Sequence, residues 1–587
     1  MPVTAELPLI CSAAALCVVL VSLYLRVTAI AIVAAVAACA APLVFVALAD
    51  PARSAGEILW EWSAVGGPAV QASFRFDGIA AIGIAVASGY AAAGSFGAFR
   101  AAQRHQLLPA AVLALGLVFF ALAVTEDLIA GIVVLGILVA ITTLATLAVA
   151  PLPATSRVAA YLAVGLQFFV LAALLVSRFG GPSFRFDAIA PASISPGALA
   201  AASVGAALFA GLYPFIPWRF RAQLRRPELE RLRGLITMPA GVGASLLLLR
   251  LVGATRGEVT SIALPNAPTE WRVAAMLLAV VPPALATWQA RRVPVRGTVI
   301  AVILILLLAA YPALHWSHVV LLAALLSVFY AATVSLAFTE QWSVVRYDVT
   351  LAAFWIGLAV GTPLSVAGGL FILGADALVA LAESVWTPPS GRYMVVIAGS
   401  AASVMGLIII GLGSLSATEA SAQGLAIAGL IGIAVLVLIH VGRRLDVVSA
   451  PLTLDVLAAV AALGMTTLLG LALVVPIYEG VTVAFGRPFS LGEVNTAVAF
   501  LIATASATFL VMIARSVRPF IPDLAPLALR LRSVTAIADP VPAGHAAFAV
   551  LDAVASRATS IFNLFEQRAG VWLATVLIVA VLVWSVR

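Results

Sequence analysis

Apolar stretches of about 20 residues recur along almost the whole chain, and short loops between them hold most of the charged residues. Each stretch is long enough to cross the ~30 Å hydrocarbon core of a bilayer as a helix. The pattern predicts an all-α polytopic membrane protein with about 15–17 transmembrane helices. The predicted spans cover about residues 7–25, 27–48, 78–98, 107–124, 128–150, 158–177, 197–216, 234–253, 271–289, 297–313, 317–338, 349–373, 393–414, 422–441, 453–477, 494–516 and 571–586.

The longest stretch without a span covers residues 517–570. Its first half is broken by prolines, and its second half has helical periodicity with arginine and acidic residues on one side, which predicts an amphipathic helix lying along the membrane or a partner. The predicted organisation is therefore N-terminal spans with an external loop (1–106), a core of two helical bundles (107–390), additional spans (391–516), this lateral segment (517–570) and a final span (571–587).

Composition excludes a soluble globular chain, because 64% of the residues are hydrophobic and 10% are charged, whereas soluble proteins are near a quarter charged. The formal net charge is +7, and all 32 basic side chains are arginine. These arginines lie mainly in short loops between apolar spans, where the positive-inside rule accounts for them. No nucleic-acid partner is expected.

Arginines concentrate in alternate loops, which places those loops in the cytoplasm and the N-terminus outside a multi-pass cell (inner) membrane. Arg443 and Arg444 break this alternation if the segment 349–385 crosses the membrane only once. Either the rule fails there or that segment is irregular. The loops that obey it contain Arg26, Arg100 with Arg104, Arg157, the run from Arg219 to Arg233, and Arg291, Arg292 and Arg296.

Two loops that are predicted to be external share a motif, SFRFDGIAA at 73–81 and SFRFDAIAP at 183–191. Alternation of Phe, Arg, Phe and Asp has the period of an extended strand. The motifs therefore predict matched edge strands that close one face of the protein, with a binding role as the less favoured reading.

Two predicted helices are interrupted by proline, the first at Pro214 and Pro217 and the second at Pro363. Backbone groups that lose their helical hydrogen bonds at membrane depth are tolerated only where they line a cavity or pack on protein. Paired interruptions in two parts of a chain are also typical of inverted repeats with a site at mid-membrane. The spacing predicts two five-helix inverted repeats, each with a broken helix.

Several segments resemble, in order, the antiporter-like membrane subunits of respiratory complex I (NADH–quinone oxidoreductase), a family shared with Mrp-type antiporters and membrane-bound hydrogenases. Pro214, Trp218 and Arg250 match the family's pattern of a lysine, a proline, a Trp-Leu-Pro turn and a span ending in arginine. The further similar segments are FRFDGIA at 74–80, ATWQARRVPVRGTVIAVI at 286–303, HVVLLAALLSVFYA at 318–331 and AVGTPLSVAGGLF at 359–371.

The resemblance implies a polar proton axis of one glutamate and several lysines, yet this chain carries none of these groups at the matching positions. The glutamate position falls near Leu135, the lysine of the broken helix at Phe209, and the lysine and histidine of the central helix at Ser327 and Ala323. The last ionisable position falls at about 371 or 372, which is also apolar. We therefore expect proton conduction by the family's usual route to be degenerate or absent.

Few ionisable groups remain near membrane depth, and the ion-path candidates are Asp376, His318 and the hydroxyl of Ser327. Asp376 is the deepest candidate, able to accept a proton or pair with an arginine, and the alternative is an acid at a helix end. An interfacial position is the alternative for His318. His440 is expected near a helix end.

No nucleotide, flavin, iron–sulfur, haem or metal motif occurs, so no cofactor is expected and any redox centre lies in other chains. The favoured function is a membrane-arm subunit of a complex-I-like proton-translocating oxidoreductase or a related antiporter or hydrogenase complex. Its partners are other membrane and redox subunits and membrane lipids, the arginine run at 219–233 being a candidate contact. One alternative is a stand-alone transporter or lipid flippase. Another is a membrane glycosyltransferase, for which Glu57, Glu61 or Asp77 would supply the carboxylate.

Overall fold

The structure is a computed structural model that describes most of the first half of the chain and several later helices. One compact unit comprises residues 1–267 and 312–535 and holds nearly all described residues. A second unit, 268–311 with 536–587, lies almost entirely outside them. The described ranges are 6–48, 57–63, 69–101, 107–150, 152–178, 183–212, 227–255, 316–337, 342–385, 389–415, 420–445 and 496–517, with isolated positions between 456 and 557.

The described chain is a bundle of α-helices with one small β-hairpin, which confirms the predicted all-α polytopic membrane protein. Nine helices among the described residues are long and apolar enough to cross a membrane. The elements are α1 (Glu6–Tyr24), α2 (Thr28–Leu48), β1 (Glu57–Ser63), β2 (Ala69–Phe74), α3 (Gly78–Ala101), α4 (Leu108–Val124), α5 (Leu128–Val149), α6 (Leu152–Arg178), α7 (Pro196–Ala210), α8 (Pro227–Ala254), α9 (Trp316–Ala337), α10 (Trp342–Val360), α11 (Pro363–Val385), α12 (Pro389–Leu415), α13 (Ala420–Leu445) and α14 (Thr496–Val517).

Most consecutive helices pack against each other with short links, so the chain runs up and down between two faces. We call one the hairpin face, because the antiparallel strands β1 and β2 lie there, paired from Glu57 opposite Phe74 to Ser63 opposite Ala69. We call the other the opposite face. The ring of Phe45, near the end of α2, contacts Phe76 before α3, with centroids 4.8 Å apart. Helix α2 therefore ends at the hairpin face and α1 begins there.

The helix α7 is short and ends at Ala210, before the first predicted interruption at Pro214 and Pro217. It has 15 residues, about 22 Å of rise, which is short of the ~30 Å hydrocarbon core. Gly211 terminates it in the left-handed conformation at φ 62°, where glycine lacks the steric penalty of a Cβ atom. Pro214 and Pro217 themselves lie outside the described residues, as do the predicted spans at 271–289, 297–313 and 571–586 and the lateral segment except for isolated positions.

The single span predicted over 349–373 is wrong, because two separate helices occupy this part of the chain. Helix α10 ends at Val360 and α11 begins at Pro363, and Gly361 between them has φ 70°. The Ser365 hydroxyl donates to the carbonyl oxygen of Gly357 across the turn at 2.8 Å. The break at Pro363 is therefore a tight turn between two antiparallel helices and not an interruption inside one span.

The presence of two helices here resolves the conflict over the arginines near residue 443. Because α10 and α11 run antiparallel, α13 runs from the hairpin face to the opposite face. The ring of Trp342, which begins α10 at the opposite face, stacks on His440 with centroids 4.2 Å apart. Arg443 therefore belongs to the same face as the start of α10, in agreement with the alternation of the earlier arginine loops.

The helices approach closely at glycines, as expected where packing rather than the hydrophobic effect drives association in a membrane. A Cβ atom added to Gly406 of α12 would lie 2.4 Å from Cγ1 of Ile372 on α11, and one added to Gly368 would lie 2.9 Å from the backbone nitrogen of Ile410. These contacts hold α11 and α12 together toward the hairpin face.

We predict that Gly406→Ala destabilises the protein by about 1–3 kcal/mol, because the added methyl overpacks the α11–α12 contact. Gly432→Ala on α13 is the matched control, since no heavy atom lies within 4 Å of its added Cβ. This control should be neutral or slightly stabilising through helix propensity. Unfolding in mixed detergent measures both, and equal stabilities of the two variants would contradict the packing described here.

Candidate functional site

Three charged side chains form a cluster between α10 and α11, in which Arg346 and Asp376 are buried and Glu383 is half-buried. Asp376 and Glu383 are seven residues apart on α11, two helical turns, and so share one face of that helix. Arg346 of α10 lies between them, with Nε 2.5 Å from Oδ1 of Asp376 and Nη1 3.1 Å from Oε2 of Glu383. Arg346 is 7% exposed and Asp376 is 2% exposed. The reading of Asp376 as an acid at an exposed helix end does not apply.

Helix α3 contributes a third side of the cluster. The Tyr90 hydroxyl donates a hydrogen bond of 2.6 Å to Oδ2 of Asp376, and its ring meets that of Tyr347 edge to face at 6.2 Å between centroids. Tyr90 lies near the middle of α3. The carboxyl group of Asp376 is therefore at the depth of the middle of a membrane-spanning helix and is shared between three helices.

The cluster carries an uneven charge, because one guanidinium faces two carboxylates. If both acids are ionised, the three side chains together carry a charge of −1, and an ionised carboxylate at membrane depth is costly. A bound proton removes that cost. The cluster therefore has the composition of a site that holds one exchangeable proton.

A cavity of about 40 Å³ borders the cluster between α10, α11, α12 and α13. A water molecule needs roughly 10–15 Å³ of such space and two or more polar partners, so the cavity has room for a few waters. Polar atoms are present on its wall among mostly apolar groups. The polar side chains that line it are Arg346, Thr350, Asp376, Ser400 and Ser403, with Trp342 at one end.

The positions that match the family's charged residues lie elsewhere and are closed by packing. Leu135 of α5 and Phe209 of α7 are fully buried, and the Phe209 ring packs on Phe169 with centroids 6.2 Å apart. The Ser327 hydroxyl donates to the carbonyl oxygen of Ala323 one turn earlier in α9, at 2.7 Å. His318 is half-buried in the first turn of α9. None of these residues lines the cavity.

Arg346 and Glu383 were missed by sequence reasoning. The span predicted over 349–373 left Arg346 outside the membrane, where an arginine needs no partner. The available signal was the spacing of Asp376 and Glu383 on one helical face, together with an arginine inside the apolar helix WSVVRYDVTLAAFWIGLAV. Buried charges of opposite sign on adjacent helices usually pair.

The twin motifs meet at the hairpin face, on the two sides of the short segment 125–127. Phe74 forms a β-bridge with Thr125, and Arg185 forms one with Asp127. Both motifs also direct an arginine at Glu126, with Arg75 Nη1 at 3.2 Å and Arg185 Nη2 at 3.4 Å. The motifs thus tie α3, α4, α5 and α6 together at this face. The predicted matched strands form only in part, because the first motif begins at the end of β2 whereas the second makes an isolated bridge and then turns.

Glu126 and Asp127, the two acids of this segment, lie outside the membrane-spanning helices, and burial affects the pKa of each. Burial raises the pKa of Glu126, with the charge of Asp187 adding to the effect and the two arginines opposing it. Burial also raises the pKa of Asp127, opposed by hydrogen bonds that its carboxylate accepts from backbone amides, among them those of Ile129 and Ala130 in the first turn of α5.

The aspartates of the two motifs have different partners. Asp77 accepts two hydrogen bonds from Arg250 of α8, at 2.9 and 3.1 Å, and one from the Ala80 amide at the start of α3. Asp187 pairs with its neighbour Arg185 and is 39% exposed. Asp77 is thus occupied as a helix cap and ion-pair partner, which removes support for it as a glycosyltransferase carboxylate. Among the described residues, no three metal-ligating side chains come together.

We predict that Asp77→Asn destabilises the protein by about 3 kcal/mol, because it leaves the buried Arg250 guanidinium without its ion partner. Asp187→Asn is the matched control in the second motif and should cost less than about 1 kcal/mol, since its ion pair is exposed. Detergent unfolding again provides the measurement. Equal losses in the two variants would show that burial of the Arg250 pair does not stabilise this face.

The fold is found in solved membrane complexes. A chain in the structure of the Mrp complex from Dietzia sp. DQ12-45-1b superposes with a TM-score of 0.63 at 14% identity, over 100% of this chain and 63% of that one. This chain thus spans less than two thirds of the Mrp chain. A chain of the membrane-bound sulfane sulfur reductase, an archaeal respiratory membrane complex, superposes with a TM-score of 0.59 at 15% identity over 99% of both.

A chain of respiratory complex I from Thermus thermophilus also matches, with a TM-score of 0.42 at 16% identity. It aligns with 89% of this chain and 98% of that one. No protein-family model matches the sequence, and no curated protein is recognisably similar to it in sequence. The superpositions on the Mrp and sulfane sulfur reductase chains show that this chain shares the fold of those two membrane-complex chains, in agreement with the resemblance noted in the sequence.

Proposed function

We propose that this chain is a membrane-arm subunit of a multi-subunit, complex-I-like oxidoreductase or of a related antiporter or hydrogenase complex. The observation that carries the proposal is the fold itself, which recurs in the Mrp complex and in the sulfane sulfur reductase complex over nearly the whole of this chain. Its partners would be other membrane subunits, redox subunits and lipids, in the cell membrane with the hairpin face outside. The chain itself would hold no cofactor.

Within such a complex, the family's usual proton route is degenerate in this chain. Support comes from Leu135, Phe209, Ala323 and Ser327, which stand where the resemblance implies charged or imidazole groups. A proton carrier needs a titratable group or water, and two of these positions are fully buried apolar side chains. The subunit then acts mainly through its scaffold, and Asp376 is the remaining ion-path group that its position and partners favour most.

The alternative of a stand-alone transporter or lipid flippase requires room for its substrate. The cavity beside Asp376 measures about 40 Å³, whereas sites for small organic molecules usually occupy roughly 300–1,000 Å³. Its size fits water or a single small ion, and not a lipid headgroup, so a lipid substrate would need a site other than this cavity.

The first test is isolation of the tagged full-length chain from its native membrane in mild detergent. We expect stoichiometric co-purification of several other membrane proteins and of subunits with redox centres. Recovery of the chain alone, together with transport activity of the isolated chain in liposomes, would contradict the proposal and support the transporter alternative.

A second test concerns the ion path in the purified complex. Asp376→Asn should lower proton transport by the reconstituted complex at least several-fold, because the amide keeps the shape but cannot take up a proton. Arg346 stays paired with Glu383 in this variant, so the fold should be retained. Ser327→Ala is the control and should leave transport unchanged, because the Ser327 hydroxyl is bonded within its own helix. Unchanged transport in Asp376→Asn would remove Asp376 from the ion path.

A further inference from the structure

We infer that the cavity between α10, α11, α12 and α13 is a one-sided, water-filled access route, through which Asp376 exchanges protons with the opposite face and not with the hairpin face. The inference rests on the ion-path role proposed above for Asp376, and it adds the side of the membrane from which that group is reached. Four observations carry it: the extent of the cavity, its closed end, its polar lining and the ring pair at its other end.

The cavity is elongated along the helices. Its lining on α10 extends from Trp342 to Ala353, eleven residues that correspond to about 16 Å of helix rise. Trp342 is the first residue of α10 at the opposite face, and Val441 lines the cavity close to the end of α13 on that face. The cavity therefore extends from near the opposite face to the depth of Asp376.

Toward the hairpin face the cavity ends against close helix packing. Ile372 lines its inner end and lies against Gly406 at a distance that leaves no room for a methyl group. Beyond that level, Gly368 meets the backbone of Ile410, and the Trp355 indole on α10 donates to the Ser245 hydroxyl of α8 at 3.0 Å. These contacts close the inner end of the cavity toward the hairpin face.

The groups that face Asp376 favour transfer of one proton. Arg346 and Tyr347 approach from α10, Tyr90 from α3, and Glu383 is farther along α11. A hydronium ion in the cavity gives its proton to an Asp376 carboxylate oxygen and remains as water, and the reverse step returns the proton to cavity water. The charge of the three-residue cluster changes from −1 to 0 and back, since Arg346 stays positively charged.

The outer end of the cavity is bordered by the stacked rings of Trp342 and His440, whose planes are inclined by 11°. Both side chains are buried. This ring pair narrows the path between the cavity and the opposite face. Removal of the Trp342 indole should therefore speed entry of small ions into the cavity.

The test uses Ag⁺, a thiol-reactive ion small enough for so narrow a cavity. The probes are Ser400→Cys and Ser403→Cys on α12, in a full-length chain whose Cys11, Cys17 and Cys39 are replaced by alanine. Ser414→Cys is the control on the same helix, because Ser414 is fully buried and does not line the cavity. Exposed positions, Glu61→Cys on the hairpin and Leu107→Cys before α4, report which face the added Ag⁺ reaches.

Ag⁺ in nitrate buffer is added to one side of sealed native-membrane vesicles, and thiols left unreacted are alkylated after denaturation and counted by mass spectrometry. We expect both cavity cysteines to be blocked from the side that blocks Leu107→Cys and to be spared from the side that blocks Glu61→Cys. Ser414→Cys should be spared from both sides. Trp342→Ala should raise the blocking rate of Ser403→Cys several-fold.

Blocking of the cavity cysteines from the hairpin face, or sparing of both from either face, would overturn the inference. Two cavity positions keep the test decisive if one variant fails to fold. Because the readout is thiol access and not transport, it is independent of the proposed function. If the blocking is not one-sided but transport still depends on Asp376, only the access route is refuted. If the blocking is one-sided but transport does not depend on Asp376, only the transport role is refuted.

Discussion

The charge cluster of Arg346 with Asp376 and Glu383 is the constraint on which the account of this protein depends. A guanidinium inside a membrane bundle needs compensating charge, because an unpaired charge at this depth costs several kcal/mol. Both compensating acids come from α11, so the pairing requires α10 and α11 to be antiparallel neighbours joined by the turn at Pro363. The same cluster recruits Tyr90 and so joins α3 to the later helices.

At the hairpin face, arginines are also paired with acids, but these pairs lie at the ends of the helices. There Arg250 is buried against Asp77 of the first twin motif, and Arg75 and Arg185 converge on Glu126. These pairs cap helices and close a face, and apolar packing fills the space between them and the cluster around Asp376. One group of charges therefore fastens the bundle at its edge, while the other lies within it beside a polar cavity.

Much of this arrangement is encoded locally and was predictable. Runs of about 20 apolar residues fix where most helices form, and the alternation in SFRFD predicts the two edge segments, whose strands form only in part. The turn at Gly361 and Pro363 was not predictable in the same way, because continuous hydrophobicity from 349 to 373 has no polar loop to mark it. That one error placed Arg346 outside the membrane and hid its partnership with Asp376, which depends on contacts between helices and not on sequence spacing.

The central claim is that the cluster of Arg346, Asp376 and Glu383 holds one exchangeable proton. Infrared difference spectroscopy of the intact protein in H₂O and D₂O tests it most directly, through the carbonyl stretch of a protonated carboxylic acid. We expect one such band, which shifts in D₂O and is lost in Asp376→Asn, because the amide cannot carry the proton. A spectrum without this band, or one in which Asp376→Asn retains it, would contradict this claim.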